Sequence, residues 1–130
     1  MDTRDLDEAV KRLRTVAESS RDPELRLIAQ SRLARVLTEQ GKHDDALKLL
    51  DVTNAGSFTP VFHEIRGDVL AAKGDVAGAR QAYDAALAAT ASVQAQAFDR
   101  EYVELKRDAL PATVTAAAPV AVAPVEGTKP

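Results

Sequence analysis

The chain has 130 residues and a formal net charge of −3, which suits one domain of ordinary size and makes a second domain unlikely on length alone. It offers no basic stripe to neutralise phosphates, so we expect no nucleic-acid partner. Cysteine is absent, which excludes disulfides and thiolate chemistry, and no apolar run approaches the roughly 18 residues of a membrane helix, so we expect no direct membrane insertion by this chain.

Six stretches space their apolar residues three and four positions apart, which is the pattern of amphipathic helices. The first covers about residues 4–19, and the second runs from Pro23 to a stop at Gly41. The third is marked by the apolar positions between Ala46 and Val52. These three stretches predict consecutive helices separated by short connections.

The second half of the chain continues the pattern. A fourth helix is predicted between Pro60 and Gly74, a fifth from Val76 to Leu87, and a sixth over about 92–110. The apolar stripe of the sixth helix is predicted to consist of Phe98, Tyr102, Leu105 and Ala109. No strand pattern interrupts these helices, so the sequence predicts an all-α fold.

Helix ends carry their own signals. Asp22 and Thr59 each precede a proline, which is the pattern of a capping side chain followed by a first-turn residue that needs no donor. Asp75 is a further candidate cap. Gly41 and Gly74 follow the last apolar residues of their helices, where we expect the left-handed conformation that ends a helix.

The end of the chain has a different composition. The run "PATVTAAAPVAVAPVEGTKP" at 111–130 holds four of the six prolines, no aromatic residue and almost no charge. Side chains this small cannot anchor a core, so we expect a flexible, disordered tail there and a single helical domain over 1–110.

The helices repeat. "RLARVLTEQGKHDDALKLL" at 32–50 has the same layout as the stretch that ends in "RGDVLAAKGDVAGARQAY" at 66–83, with a constant offset of 33. The shared positions are Ala34 with Gly67, Leu37 with Leu70, Gly41 with Gly74, Ala46 with Ala79, and Leu50 with Tyr83. A repeat of this period predicts stacked helical hairpins.

This layout resembles the tetratricopeptide repeat. The small residue of the repeat's first helix matches Ala34 and Gly67, its turn glycine matches Gly41 and Gly74, and the alanine of its second helix matches Ala46 and Ala79. Phe98, Tyr102 and Leu105 resemble the first helix of a third repeat. The resemblance implies a solenoid of antiparallel helix hairpins with about two and a half to three repeats.

The first helix resembles half a repeat. Ala9, Leu13 and Val16 fit a second helix whose own first helix would lie upstream of Met1. Because repeats bury their core only against neighbours, we expect this apolar face to need a cover. We favour an upstream part of a longer protein, with self-association through the first helix as the alternative.

The runs "LRLIAQSRLARVLTEQGKHDDALKLLD" and "FHEIRGDVLAAKGDVAGARQAYDAAL" are similar to the periplasmic domain of YfgM-like ancillary subunits of the SecYEG translocon. The resemblance implies protein partners, namely the translocon and a PpiD-type chaperone, on the periplasmic side of the bacterial inner membrane. It also implies an N-terminal membrane anchor, which we expect upstream of these residues in a longer protein. The alternative is a generic cytosolic tetratricopeptide adaptor or assembly factor.

Catalytic chemistry has little support. His43 and His63 are the only histidines, and His63 and Glu64 point apart on a helix, so they make no metal pair. The run "HDD" at 43–45 lacks the ligand spacing of a calcium or zinc site. "RGD" at 66–68 lies within a predicted helix, and "GDVAGA" follows no strand. We therefore expect no enzyme, no cofactor and no metal.

What remains is a surface for protein binding. The first helices of stacked repeats line the concave side, so their solvent-facing residues are candidates for binding a partner. The alternative is that these residues are ordinary solvated side chains. The predicted set is mixed and fairly acidic, unlike a clamp for C-terminal carboxylates. The candidate groove residues are Ser31, Arg35, Thr38, Glu39, Glu64, Asp68, Ala71, Asp99, Val103 and Lys106.

Overall fold

A computed structural model describes residues 3–90 and 98–112. This part of the chain is all-helical and contains six α-helices and two short 3-10 turns, Val52–Asn54 and Gly56–Phe58. The helices are α1 Thr3–Ser19, α2 Pro23–Glu39, α3 His43–Lys48, α4 Thr59–Lys73, α5 Val76–Ala89 and α6 Arg100–Asp108. The predicted fold class is confirmed: α2 with α3 and α4 with α5 form successive hairpins, between α1 and α6.

The two hairpins turn in the same way. Gly41 and Gly74 have φ angles of 80° and 94°, in the left-handed region where a side chain is strained. In the first turn the N–H of Lys42 donates to the carbonyl of Leu37 at 2.8 Å, and in the second that of Asp75 donates to Leu70 at 2.9 Å. These are the bonds of a Schellman helix end, 33 residues apart.

Two of the three predicted caps are present. The carboxylate of Asp22 accepts from the N–H of Glu24 at 2.9 Å, and that of Asp75 accepts from Gly78 at 2.9 Å. The prediction for Thr59 is wrong, because Thr59 is already in the first turn of α4. Its hydroxyl donates to the carbonyl of Gly56 at 2.7 Å, and so ties the preceding 3-10 turn to the helix.

α3 is shorter than predicted and ends at Lys48, before Leu50 and Val52. The side chain of Asp51 competes with the helix, since it accepts from the N–H of Thr53 at 3.0 Å and from the amide of Asn54 at 2.9 Å. Leu50 nevertheless remains in the core with 2% of its surface exposed. The end of the helix therefore follows local polar chemistry, while the apolar position keeps its place.

α6 differs most from its prediction. It begins at Arg100, with Asp99 as its cap, so the expected helical start is wrong for Phe98 and Asp99, and residues 92–97 lie outside the described part. The predicted stripe is also wrong, because Tyr102 and Leu105 are 52% and 65% exposed. Of the predicted disordered tail over 111–130, residues 113–130 lie outside the described part, and Pro111 and Ala112 are exposed and non-helical.

The core has two parts. The larger lies among α2, α3, α4 and the 3-10 turns, with Val10 and Leu13 of α1 packed against it. Its largest fully buried side chains are Leu33, Leu37, Leu50, Phe62, Ile65 and Val69. The smaller part joins α5 to α6 and consists of Ala79, Tyr83, Ala86, Leu87 and Val103.

The end of α2 is tied to the start of α1. The side-chain amide of Gln40 donates to Asp7 at 2.8 Å, as antiparallel packing of the two helices requires. The apolar positions of α1 are unevenly covered, because Ala17 is buried whereas Val16 is 40% exposed. Across residues 3–90 and 98–112, no helix combines the length and the hydropathy needed to cross a bilayer.

Candidate protein-binding groove

One charged network links the helices that open the successive repeats. Arg35 of α2 contacts Asp68 of α4 at 3.3 Å, and Lys106 of α6 contacts Asp68 from the other side at 2.8 Å. The ammonium of Lys106 also donates to Glu64 at 2.8 Å. The network connects three helices that are far apart in sequence, so it stabilises their relative placement.

Lys106 is largely buried between two carboxylates and two aromatic rings. Its side chain is only 19% exposed and that of Glu64 only 10%, so the pair is shielded from water. The ammonium lies 4.6 Å from the ring centre of Tyr102 and 5.5 Å from that of Tyr83, within the range of cation–π attraction. Tyr83 in turn donates its hydroxyl proton to Asp68 at 2.6 Å.

The network shifts the acid–base properties of its members. Burial would lower the pKa of Lys106, but hydrogen bonds to Asp68 and Glu64 outweigh it and raise this pKa above the ordinary 10.5. Burial and the hydrogen bond to Asp68 raise the pKa of Tyr83 far above 10.0. At neutral pH the lysine is therefore charged and the tyrosine is a neutral donor.

Several candidate groove residues belong to this network; Glu64, Asp68 and Lys106 are largely shielded from solvent, whereas Arg35 remains exposed. Arg35, Glu64, Asp68 and Lys106 pair with one another, and Glu64 is a buried charge with 8% exposure. The predicted solvent position of Val103 is wrong, because Val103 is fully buried in the smaller core. α6 presents Lys106 to the acidic pair instead.

The other predicted positions lie beside the network or at its ends. The hydroxyls of Ser31 and Thr38 donate to carbonyls of their own helix, Ile28 at 2.7 Å and Ala34 at 2.8 Å. Glu39 is exposed near the end of α2, and Ala71 is half-buried on α4. Asp99 caps α6 through the N–H of Tyr102 at 3.1 Å, so its carboxylate already has a structural task.

An open groove separates α2 from α4. One section of about 370 Å³ is lined by α2 and by the start of α4, and it continues past Arg35 and Ile65 into a second section of about 250 Å³. We call the two sections together the α2–α4 groove. It is lined by Glu24, Ile28, Ser31, Arg32, Arg35, Thr38, Glu39, Phe58, Val61, Ile65, Asp68 and Val69.

Sequence reasoning missed seven of the twelve lining residues, namely Glu24, Ile28, Arg32, Phe58, Val61, Ile65 and Val69. Ile28 follows the apolar spacing of α2 and so indicated a core position, yet it is only half-buried because the groove opens beside it. Arg32 lies three residues before Arg35, and this spacing places both cations on neighbouring parts of one helix surface. That spacing was the available signal.

The histidines and the short motifs form no chemical centre. Burial and the nearby charge of Arg66 lower the pKa of His63, which is half-buried on α4. Asp44 of the "HDD" run binds Lys73 at 2.7 Å, and this hydrogen bond holds the pKa of Asp44 below its usual value. Among the described residues, no three His, Cys, Asp or Glu side chains are grouped so that they could hold a metal ion.

Stacked antiparallel hairpins with left-handed glycine turns define a helical-repeat protein. Residues 1–112 match the tetratricopeptide repeat-like domain family, and the chain belongs to that family.

The chain is also similar to two proteins named ancillary SecYEG translocon subunit, which confirms the resemblance found in the sequence. The protein from Escherichia coli K12 is 33% identical over 85 residues, which is 65% of this chain and 41% of the relative. The one from Neisseria gonorrhoeae is 32% identical over 109 residues, or 84% of this chain and 51% of the relative. The chain thus matches about half the length of these relatives. No solved structure matches it significantly.

Proposed function

We propose that the chain is a non-enzymatic protein-binding scaffold in bacterial protein export, acting as part of an ancillary subunit of the SecYEG translocon. The observation that carries the proposal is the similarity to two proteins of that name, over 65% and 84% of this chain. The family supports the same class of function, because stacked helical repeats present extended surfaces to other proteins.

The binding surface in this proposal is the concave side that carries the α2–α4 groove. Arg35 and Thr38 border the groove, and the side chain of Arg35 keeps 49% of its surface exposed. The partners are the translocon and a PpiD-type chaperone on the periplasmic side of the inner membrane. No chemical step is part of this proposal, and the scaffold acts by holding proteins near one another.

The test is photo-crosslinking in intact cells from a full-length protein that contains this chain. A photoreactive residue at Thr38 is expected to trap a translocon subunit or the chaperone. The same residue at Lys48 of α3, whose side chain is 79% exposed and which is not a lining residue of the groove, serves as the matched control. Recovery of cytosolic proteins alone would contradict the proposed role in export. Equal trapping from Thr38 and Lys48 would contradict the assignment of the binding surface to the concave side.

A further inference from the structure

The α2–α4 groove has an apolar centre with cations beside it. Ile28 and Val61 are half-buried, so each keeps apolar surface towards the groove, above the buried Ile65 and Phe58. Arg32 and Arg35 line the same section, and both are exposed. An apolar strip next to two guanidinium groups suits a ligand that is itself amphipathic.

The acidic pair near the groove does not cancel these cations. Glu64 and Asp68 are both bound by Lys106 at 2.8 Å, and Asp68 also accepts from Tyr83 at 2.6 Å. Arg35 reaches Asp68 only at 3.3 Å through one Nη atom, which leaves most of the five donors of its guanidinium for another acceptor. The four charges of the network balance one another, so the centre of the groove takes its positive charge from Arg32 and from the free donors of Arg35.

The charges along α2 follow an order. Glu24 and Glu39 lie at the two ends of the groove, and Arg32 and Arg35 lie between them. At 1.5 Å per residue, the helix from 24 to 39 spans roughly 22 Å, about four turns of a bound helix. A complementary segment therefore carries carboxylates at its centre and cations towards its ends.

We propose that the α2–α4 groove binds an amphipathic helical segment of a partner protein, with apolar side chains over Ile28 and Val61 and carboxylates paired with Arg32 and Arg35. This inference rests on the proposed function and names the chemistry of its partner. Arg–carboxylate pairs are frequently bidentate, which gives the site geometric specificity in addition to attraction.

The test uses two fluorescein-labelled helical peptides of about 16 residues, or roughly 24 Å. They share the same apolar residues, but one has glutamates at its centre and lysines at its ends, and the other has these charges exchanged. Fluorescence anisotropy with the whole chain is expected to give the glutamate-centred peptide a Kd at least ten-fold lower. A tenfold difference that shrinks at high salt agrees with exposed ion pairs.

Arg32→Glu, alone and together with Arg35→Glu, is expected to abolish and then reverse this preference. Arg32→Glu alters an exposed residue outside the Lys106 network, so it tests the groove even if the double variant fails to fold. The control Lys11→Glu with Lys48→Glu makes the same change in net charge at exposed positions elsewhere, and it should keep the original preference. Equal binding of the two peptides, the opposite order, or no binding of either up to about 1 mM overturns the inference.

The two proposals fail separately. If Thr38 of the wild-type protein crosslinks to the translocon or the chaperone while wild type shows no preference between the peptides, the chemistry assigned to the groove is wrong and the export role stands. If the wild-type protein traps only cytosolic proteins while the peptides bind as expected, the groove chemistry stands and the export role is wrong.

Discussion

The two hairpins turn alike but pack differently where their helices cross. Both end their first helix at a left-handed glycine with the same backbone bonds. The first hairpin has Ala34 and Leu50 at the crossing positions, and the second has Gly67 and Tyr83. A Cβ at Gly67 would lie 2.6 Å from Cδ1 of the Tyr83 ring, so only glycine lets the ring lie against the helix.

From the first hairpin to the second, one crossing residue becomes larger, leucine to tyrosine, and its partner becomes smaller, alanine to glycine. The repeat therefore keeps its turn geometry while the side chains packed between its helices vary. The tyrosine also brings a hydroxyl to Asp68, which ties the second hairpin to Lys106 and α6. The second helix of the second hairpin, α5, has 14 residues, whereas the second helix of the first hairpin, α3, has six. The second hairpin depends on the contacts among Tyr83, Asp68 and Lys106, which have no counterpart at Leu50 of the first hairpin.

The largest expected effect comes from removing Lys106 of α6, the cation that binds Glu64 and Asp68 of the second hairpin. Lys106→Met leaves Glu64 and Asp68 as neighbouring, poorly solvated carboxylates, and we expect a loss of about 3 kcal/mol in the free energy of unfolding. Urea denaturation followed by circular dichroism measures this loss.

Arg107→Met is the matched control on the same helix. Arg107 pairs with Asp84, whose side chain is 55% exposed, and exposed pairs contribute less than about 1 kcal/mol. Equal losses in the two variants would show that the Lys106 network contributes no more than a surface ion pair.

The next largest loss of stability is expected where α4 and α5 cross, at Gly67 and Tyr83. Gly67→Leu places a branched side chain where the Tyr83 ring lies, and overpacking of this kind costs about 1 to 3 kcal/mol. A thermal or urea unfolding curve measures the effect. A variant that unfolds like the wild type would mean that the two helices are not in the register described.

Transplanting the first hairpin's pair sharpens this test. Gly67→Ala with Tyr83→Leu should cost about 1 kcal/mol less than the sum of the two single substitutions, since the smaller leucine makes room for the added methyl group. Simple additivity would show that residues 67 and 83 do not share a contact.

The pH dependence reports on the same network. The pKa values of Tyr83 and Lys106 are raised on folding, so their stabilisation is complete below the ordinary values of 10.0 and 10.5 and is lost as pH rises above them. We expect the free energy of unfolding to fall by on the order of 1 kcal/mol per pH unit from about pH 10. Tyr83→Phe should make this fall shallower, and an unchanged slope would exclude a role for Tyr83.

The smallest effects concern the helix caps that follow the turns. The side chain of Asp75 caps α5, whereas that of Lys42, at the same position of the first hairpin, makes no capping hydrogen bond. Asp75→Ala should cost about 1 kcal/mol, and Lys42→Asp should gain about 0.5 kcal/mol, the gain being limited by Asp44 and Asp45 nearby. Melting temperatures measure both, and a loss from Lys42→Asp would contradict the equivalence of the two turns.

Local signals explain what could be predicted from the sequence. Glycine after an apolar run, an acidic cap and three-to-four spacing act within one turn of helix, so the hairpins and their offset of 33 were predictable. Thr59 and the end of α3 were not, because each depends on how a neighbouring polar side chain satisfies a loop.

The candidate groove residues were only partly predictable, because those on α6 depend on how this helix is rotated. Counting by the repeat placed Val103 towards the solvent, yet burial of Val103 and capture of Lys106 by two carboxylates stabilise a different rotation. Arg35 and Asp68 hold equivalent positions, one repeat apart, and their pairing could have been predicted from that spacing alone. The contact of Lys106 with Glu64 and Asp68 could not.

The second hairpin closes with the Tyr83 ring on the backbone at Gly67 and with Lys106 beside that ring. Nuclear Overhauser spectroscopy of the isotope-labelled chain tests this packing directly. We predict strong cross-peaks from the ring protons of Tyr83 to the α-protons of Gly67, and weaker ones from the ring to the ε-protons of Lys106. A Tyr83 ring with cross-peaks only to its own helix would contradict the account.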